Sequence, residues 1–302
     1  MFTSVRKTLP VSSVARVSIA GACAGLAVLT GCGSEAGEDA VVVGSGDDAR
    51  GSVLAHIYAG AVRSTGVEVE VNENLGERSD YLSALDSGEV TLVPDLSGEL
   101  LATFDSTSGA TTAEDVFTDL NRSLPEGLEV GDYALAEDRT TIAVSPEGEF
   151  SSRTTVSELA PDCGEIVVGT LDNDTAPDPL EVSFALESGY GCAIDEFVRY
   201  PDARAAVDAL EQNEVGALAV RTASFGPLVS DLTTLDDDES AFTAQNVVPL
   251  LRQGAVDDEA FSTLAVVAGE LTTADLAEMI DEVRGGADSG DVAARWLGDR
   301  NL

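Results

Sequence analysis

Short apolar runs alternate with helical-period stretches along almost the whole chain. Residues 40–43 read as a short buried strand. Val53, Leu54, Ile57, Ala61 and Val62 then recur at the spacing of one helix face, Gly66 stops that helix, and residues 67–71 alternate as a strand. The opening is therefore strand, polar turn, helix, strand, a unit whose crossover is right-handed. Residues 78–85 predict another helix and 90–93 a second buried strand, which ends in Pro94-Asp95-Leu96-Ser97-Gly98 before a helix through Leu100, Leu101 and Phe104. Residues 111–124 are amphipathic, with Thr111 and Glu114 at the spacing of a capping box. Strands are expected near 128–136 and 140–144.

Pro146-Glu147-Gly148 marks a break, after which the pattern restarts. Helices are expected at 156–159, 179–188 and 203–210, and strands at 166–169, 197–200, 216–220 and 232–235. A last strand, Val247-Val248-Pro249-Leu250-Leu251, leads into three helices at 257–271, 273–283 and 289–297. Strand and helix alternate throughout, which predicts an α/β fold with mostly parallel sheets.

The first 31 residues stand apart from this pattern. Arg6, Lys7 and Arg16 make a basic start, residues 17–29 are small and apolar, and Leu29-Thr30-Gly31-Cys32 resembles a bacterial lipobox. A secretory signal has these regions in this order. The Cys32 thiol is the expected acceptor of a diacylglyceryl group, with cleavage leaving it as the lipid-bearing N-terminus; an uncleaved anchor or a plain signal peptide is the rival reading. Cys23 has no Leu at the third position before it. Residues 33–39 are small and acidic, a flexible tether. No later stretch approaches the roughly 18–20 apolar residues of a membrane helix.

Charge changes the picture next. No acidic residue precedes Cys32, so from Cys32 onward 13 basic residues face 55 acidic ones, a net charge of −42. Lys7 is the only lysine, and every later cation is an arginine. Such a surface repels nucleic acid and anionic lipid. It suits high salt, where screening relieves self-repulsion; a GC-rich genome, which favours Arg over Lys, accounts for the bias equally well. Cys163 and Cys192 are an even pair in an exported chain, so a disulfide is the first reading and metal ligation the second. No His or third Cys accompanies them.

Five segments, taken in order, resemble the substrate-binding proteins of ABC importers for osmoprotectants, the glycine betaine, choline and carnitine binders. They are Val42-Val43-Gly44-Ser45 with the helix ending in Ile57-Tyr58-Ala59; Leu82 through Gly88-Glu89-Val90-Thr91-Leu92-Val93-Pro94-Asp95, with Ser97-Gly98; Ala136-Glu137-Asp138-Arg139-Thr140-Thr141-Ile142-Ala143-Val144; the Cys163 and Cys192 pair preceding 207–217; and Asn246-Val247-Val248-Pro249 with the tail from Leu271-Thr272 to Ala293-Ala294-Arg295-Trp296-Leu297. The resemblance implies a type 2 periplasmic-binding-protein fold, in which two α/β lobes joined by a double crossing enclose a ligand cleft. With the leader at 1–31 and the tether at 32–40, it places lobe one at 41–144 plus 246–302 and lobe two at 145–245. It implies binding without catalysis, a small-molecule solute, a membrane permease as partner, a monomer lipid-anchored on the extracytoplasmic face, and no cofactor. Members of that family hold a quaternary ammonium among aromatic rings. Here Leu96 stands where one ring is expected, and Gly46 and Ala49 replace the lysine and aromatic typical of the first turn.

Candidate ligand contacts follow from strand ends, where open α/β sheets bind ligands. They are Ser45, Asp47 and Asp48 after the first strand, with helix capping as the alternative role; Asp95 and Ser97 after the next; Asp138 and Thr140 near the crossing; and Arg221 and Thr222 at a strand end in lobe two. Arg221 can fork onto a carboxylate or pair with a surface acid. His56, the only histidine, lies inside the first helix, where a Ser-His-Asp hydrolase would have to use it, and no Gly-x-Ser-x-Gly elbow is present, so an exported enzyme is the weakest reading. Asp236-Asp237-Asp238 reads as a solvated turn rather than a metal site. An amino acid or small carboxylate as ligand, and a sensory or structural envelope role, are the competing functions.

Overall fold

A computed structural model describes residues 40–302 apart from Asp174; the expected leader, the expected tether up to residue 39 and the expected lipid acceptor Cys32 lie outside the described residues. The chain opens with β1 (Val41–Gly44), α1 (Ala49–Ser64), β2 (Val69–Asn72), α2 (Arg78–Ser87), β3 (Leu92–Leu96), α3 (Ser97–Phe104), α4 (Ala113–Ser123) and β4 (Leu128–Val130). Then come β5 (Thr140–Val144), α5 (Val156–Leu159), β6 (Val167–Leu171), α6 (Pro179–Tyr190), β7 (Glu196–Tyr200), α7 (Ala203–Glu211), β8 (Ala217–Arg221) and β9 (Thr233–Thr234). β10 (Val247–Arg252), α8 (Asp258–Glu270), α9 (Thr273–Arg284) and α10 (Ser289–Arg300) complete it.

Two five-stranded sheets result, ordered β2-β1-β3-β10-β4 and β7-β6-β8-β5-β9. In each, a parallel trio is extended by antiparallel strands: β1 pairs parallel with β2 and β3, and β6 with β7 and β8. β10 runs antiparallel to β3 and β4, and β5 to β8 and β9. This is the two-lobed type 2 binding-protein fold.

Two expectations change. β5 belongs to the second sheet, not to lobe one where the resemblance put residues 140–144, because Thr140 pairs with Arg221 and Ile142 with Ala219. Its buried residues Ile142 and Val144 accordingly join the second lobe's core. The crossing therefore lies earlier, at 131–139, which shortens the strand expected at 128–136 to Leu128–Val130. β3 also runs later than expected, through Pro94 to Leu96. Pro94 sits opposite Pro249, and the amide of Ser97 bonds the carbonyl of Asn246 two rungs on from the Asp95–Val248 pair. Pro94 and Pro249 thus fall on a rung that exchanges no hydrogen bonds between β3 and β10, so that pairing loses nothing to the missing N–H groups.

Helix α1 is the centre of the first lobe's core. Leu54, Ile57 and Tyr58 are fully buried among residues of β1, α8, α9 and α10; burial of each of the two aliphatic side chains stabilises by about 1.5–3 kcal/mol. Gly60 lets α10 close on α1, since a Cβ there would lie 2.3 Å from Leu297. Trp296 is part of this core, with Arg300 stacked 4.2 Å from its ring centroid. The N-caps follow side-chain chemistry: Asp48, Asp178, Asp202, Asp257 and Asp288 each accept a first-turn N–H. The cap of α4 is Thr112, which accepts from Asp115 N, one residue later than the Thr111 spacing suggests.

Cys163 and Cys192 are disulfide-bonded, with Cα atoms 5.3 Å apart at a sequence separation of 29. The bond ties the turn before β6 to the end of α6, and closing such a loop stabilises by about 3–4 kcal/mol in the chain-entropy account. Among the described residues no helix is long and apolar enough to cross a membrane.

The crossings pair with each other. Asp138 N donates to Gln245 O at 2.9 Å, Val247 N to Ala136 O at 3.0 Å and Ala134 N to Val247 O at 2.8 Å. The two crossings therefore form one hydrogen-bonded ribbon rather than two independent linkers.

Candidate functional site

The carboxyl ends of β1, β6 and β8 face one another across a cleft between the two sheets. One mouth of that cleft is a cavity of about 1110 Å³, walled by the β1–α1 turn (Asp47, Asp48, Arg50), the start of α2 (Arg78, Tyr81) and, from the other lobe, Asn173 and Arg221. The opposite mouth, about 880 Å³, is walled by Gly98, Thr103, Thr140, Phe184, Phe242 and Gln245. Arg78, Glu99 and Arg221 border both cavities and form the constriction between them.

A continuous chain of charges crosses this constriction. Asp95 is buried at the end of β3 and accepts a fork from Arg78, Nε and Nη2 each at 3.0 Å. Its remaining lone pairs take the Tyr81 hydroxyl and the Leu96 amide, both at 2.8 Å. Arg78 Nη2 also meets Glu99. Glu99 reaches across the cleft to Arg221 Nη2 at 3.4 Å. Arg221 Nη1 donates to the backbone oxygen of Asp138 at 3.1 Å. The Asp138 carboxylate receives Arg50 at 2.9 Å, and Arg50 lies 3.5 Å from Asp48. Three guanidiniums thus interleave with four carboxylates, close to electrical balance.

Environment sets the charge states. Burial alone would weaken the Arg50 charge, but the carboxylates of Asp48 and Asp138, then Glu99 and Asp95, outweigh it and raise its pKa far above the usual range. Arg78 is raised likewise, with burial opposed by Asp95 and Glu99. Burial pushes the Tyr81 hydroxyl up, and the Asp95 charge pushes it further, so it remains a neutral donor. Asp138 is held below its usual value: burial works against the charge, but Arg50, Ser224 and Arg221 prevail. Burial raises Glu137 despite Arg139.

The candidates from the sequence divide into two groups. Asp47, Asp48, Thr140 and Arg221 line the cavities. Ser45, Asp95, Ser97, Asp138 and Thr222 stand behind that surface. Ser45 donates to Gly46 O, and Ser97 Oγ accepts Asn246 N at 3.1 Å, fastening α3 to the second crossing. Thr222 donates to Glu137 O at 3.0 Å. Asp138 is fully buried, and its carboxylate accepts Ala223 N, Ser224 N, Ser224 Oγ and Arg50. It therefore knots the first crossing to α1 and to the loop after β8.

The sequence pattern alone does not mark Arg50, Arg78, Glu99 or Gln245 as site residues. Gln245, on the second crossing, accepts the Glu99 amide at 3.0 Å and so caps a helix with no side-chain cap of its own. One signal was available. The chain from Cys32 onward has 13 arginines, and five of them, Arg50, Arg78, Arg204, Arg221 and Arg284, line a single cavity. Elsewhere the residues outside the cleft have local roles. His56 lies 3.3 Å from Glu73. Asp237 holds its turn by accepting Ala241 N and Phe242 N, each at 2.8 Å. Leu96, at the expected ring position, is fully buried in the core. The rings bordering the cavities are Tyr81 and Phe225 at one mouth and Phe184 and Phe242 at the other, and no aromatic stack forms there among the described residues.

The family model described as the substrate-binding domain of ABC-type glycine betaine transport systems matches residues 39–299. Solved structures share the fold. The apo form of YehZ from Escherichia coli is 22% identical, with a TM-score of 0.71 over 87% of this chain and 99% of that one. A glycine betaine/carnitine/choline ABC transporter protein is 16% identical, with a TM-score of 0.72 over 86% and 98%. Lactococcal OpuAC, closed around glycine betaine, is 13% identical, with a TM-score of 0.53 over 86% and 96%.

Proposed function

We propose that this chain, which belongs to the family of substrate-binding domains of ABC-type glycine betaine transport systems, is the lipid-anchored solute trap of an importer for small zwitterions of the glycine betaine type. Members of this family bind a transport substrate rather than transform it. The observation that carries the ligand class is the cleft itself: guanidiniums and carboxylates converge there from both lobes in near balance. A neutral molecule with separated charges satisfies such walls, with its carboxylate on arginine and its cationic end towards carboxylate. Closure of the lobes on that solute would make the liganded state distinct for a permease to select.

A thermal-shift series with glycine betaine, choline, carnitine, proline betaine and ectoine tests the ligand class. A true ligand at 100 times its Kd adds about 2.7 kcal/mol, so a clear rise in Tm is expected for glycine betaine or proline betaine. Silence across all five removes the osmoprotectant assignment. An amino acid is the second reading, favoured by the missing aromatic stack and by carboxylates able to accept N–H bonds that a quaternary ammonium cannot donate. A shift with free amino acids and none with betaines decides for it.

The anchor rests on Leu29-Thr30-Gly31-Cys32. Tethering would hold the trap near its permease and raise the effective concentration of their encounter. Cys32→Ala is expected to abolish incorporation of labelled fatty acid into the chain; labelling that persists in the variant counts against acylation at this residue.

A further inference from the structure

We propose that Glu99 is a built-in occupant of the cleft's carboxylate subsite, and that solute must displace it to bind. This rests on the reading of the cleft as a solute site. Arg78 comes from lobe one and Arg221 from lobe two, and the one carboxylate lying between them is that of Glu99. Two guanidiniums that converge on a single carboxylate define an anion position of that size, with fork geometry suited to a carboxylate.

The neighbouring acids cannot play this part. Asp95 and Asp138 are buried, and each carboxylate is held by four donors. Glu99 differs on every count. Its side chain remains 20% exposed, its carboxylate is bound by the two arginines, and its backbone is anchored separately through Gln245. It sits in the first turn of α3 and borders both cavities, so rotation about its side-chain torsions carries the carboxylate into either one. Arg78 keeps its fork to Asp95 and Arg221 its bond to the Asp138 carbonyl when Glu99 leaves. The subsite therefore survives the departure of its occupant.

The substrate class follows. A solute carrying a carboxylate replaces Glu99 on the arginines, and the displaced Glu99 meets its cationic end. A cation without a carboxylate leaves the occupant in place and gains neither arginine. Displacement also sets the affinity: if the vacant subsite is populated at about 1–10%, affinity for a carboxylate is reduced about 10- to 100-fold.

Acetate is the minimal probe, titrated calorimetrically in low-chloride buffer against the wild type, Glu99→Gln, Glu99→Ala and Glu99→Ala/Arg221→Ala, each checked for folding by circular dichroism. Both single variants are expected to bind acetate about 10- to 100-fold more tightly than the wild type, and the double variant is expected to lose that gain. Equal acetate affinity in the wild type and both single variants, or a gain that persists without Arg221, overturns the proposal. Failure of the betaine series would remove the osmoprotectant reading and leave the acetate result standing, so the two are decided separately.

Discussion

Asp138→Ala is expected to destabilise the protein by about 3–5 kcal/mol, the usual cost of removing one partner from a buried charge pair. The residue is fully buried at the first crossing. Its loss leaves the Arg50 guanidinium, 16% exposed, with Asp48 at 3.5 Å as its remaining ion-pair contact. It also orphans the amides of Ala223 and Ser224, which now donate to Asp138 at 2.9 and 2.8 Å. A buried unsatisfied donor costs about 1–3 kcal/mol. Asp138→Asn keeps an acceptor and the shape but not the charge, and should lie between the two. Urea unfolding midpoints at neutral pH measure both. A loss under about 1 kcal/mol for the alanine variant would mean the crossing is held elsewhere.

The same residue gives the pH dependence its sign. The folded carboxyl is held below its usual 3.8, so its stabilisation is present above that value and disappears as pH falls through the depressed folded pKa. Glu137 acts in the opposite sense. Burial raises its pKa, so its ionised form is a cost that acid relieves. The stability gap between the wild type and Asp138→Asn is therefore expected to be constant from neutral pH down to about 4 and to close below it. A gap unchanged to pH 2 contradicts the assignment of the shift to Asp138.

Much of the architecture was legible because period and capping are local. Val53, Leu54 and Ile57 carry the helical spacing of α1, and Asp257, Thr272 and Asp288 cap the last three helices where the sequence places their starts. What period cannot report is partnership. Residues 140–144 alternate as a buried strand whichever sheet they join, and only the pairing of Thr140 with Arg221 assigns them to the second lobe. Pro94 reads as a strand terminator until Pro249 is found opposite it on a rung without hydrogen bonds. The site shows the same division. Arg221 was visible as a cation at a strand end, whereas Glu99 and Arg78 become functional candidates only through neighbours that lie far away in sequence. Asp95 and Asp138 were found as acids in the right places, but their part is to aim Arg78 and Arg50, which no spacing in the chain discloses.

Arg221→Ala is the second large effect. Arg221 stands at the end of β8 and contributes, from lobe two, the cation that faces Glu99 across the constriction. Truncating one partner of a desolvated, hydrogen-bonded charge pair costs about 2–5 kcal/mol of binding, roughly a 30- to 5000-fold loss of affinity. Binding should suffer most, because Arg221 lies on the cleft wall with its side chain 16% exposed; folding loses its hydrogen bond to the Asp138 carbonyl, about 1.5–3 kcal/mol. Arg204, exposed at the cavity rim, is the control, since exposed pairs contribute about 0–1 kcal/mol.

The central claim is that the cleft between the lobes takes a small zwitterion onto Arg221. Calorimetric titration of glycine betaine into the wild type and Arg221→Ala tests it most directly. Saturable one-site binding in the wild type, weakened at least about 30-fold in the variant, is the predicted result. Equal affinity in the two proteins, or no binding to the wild type at any concentration up to saturation of the calorimeter cell, would contradict it.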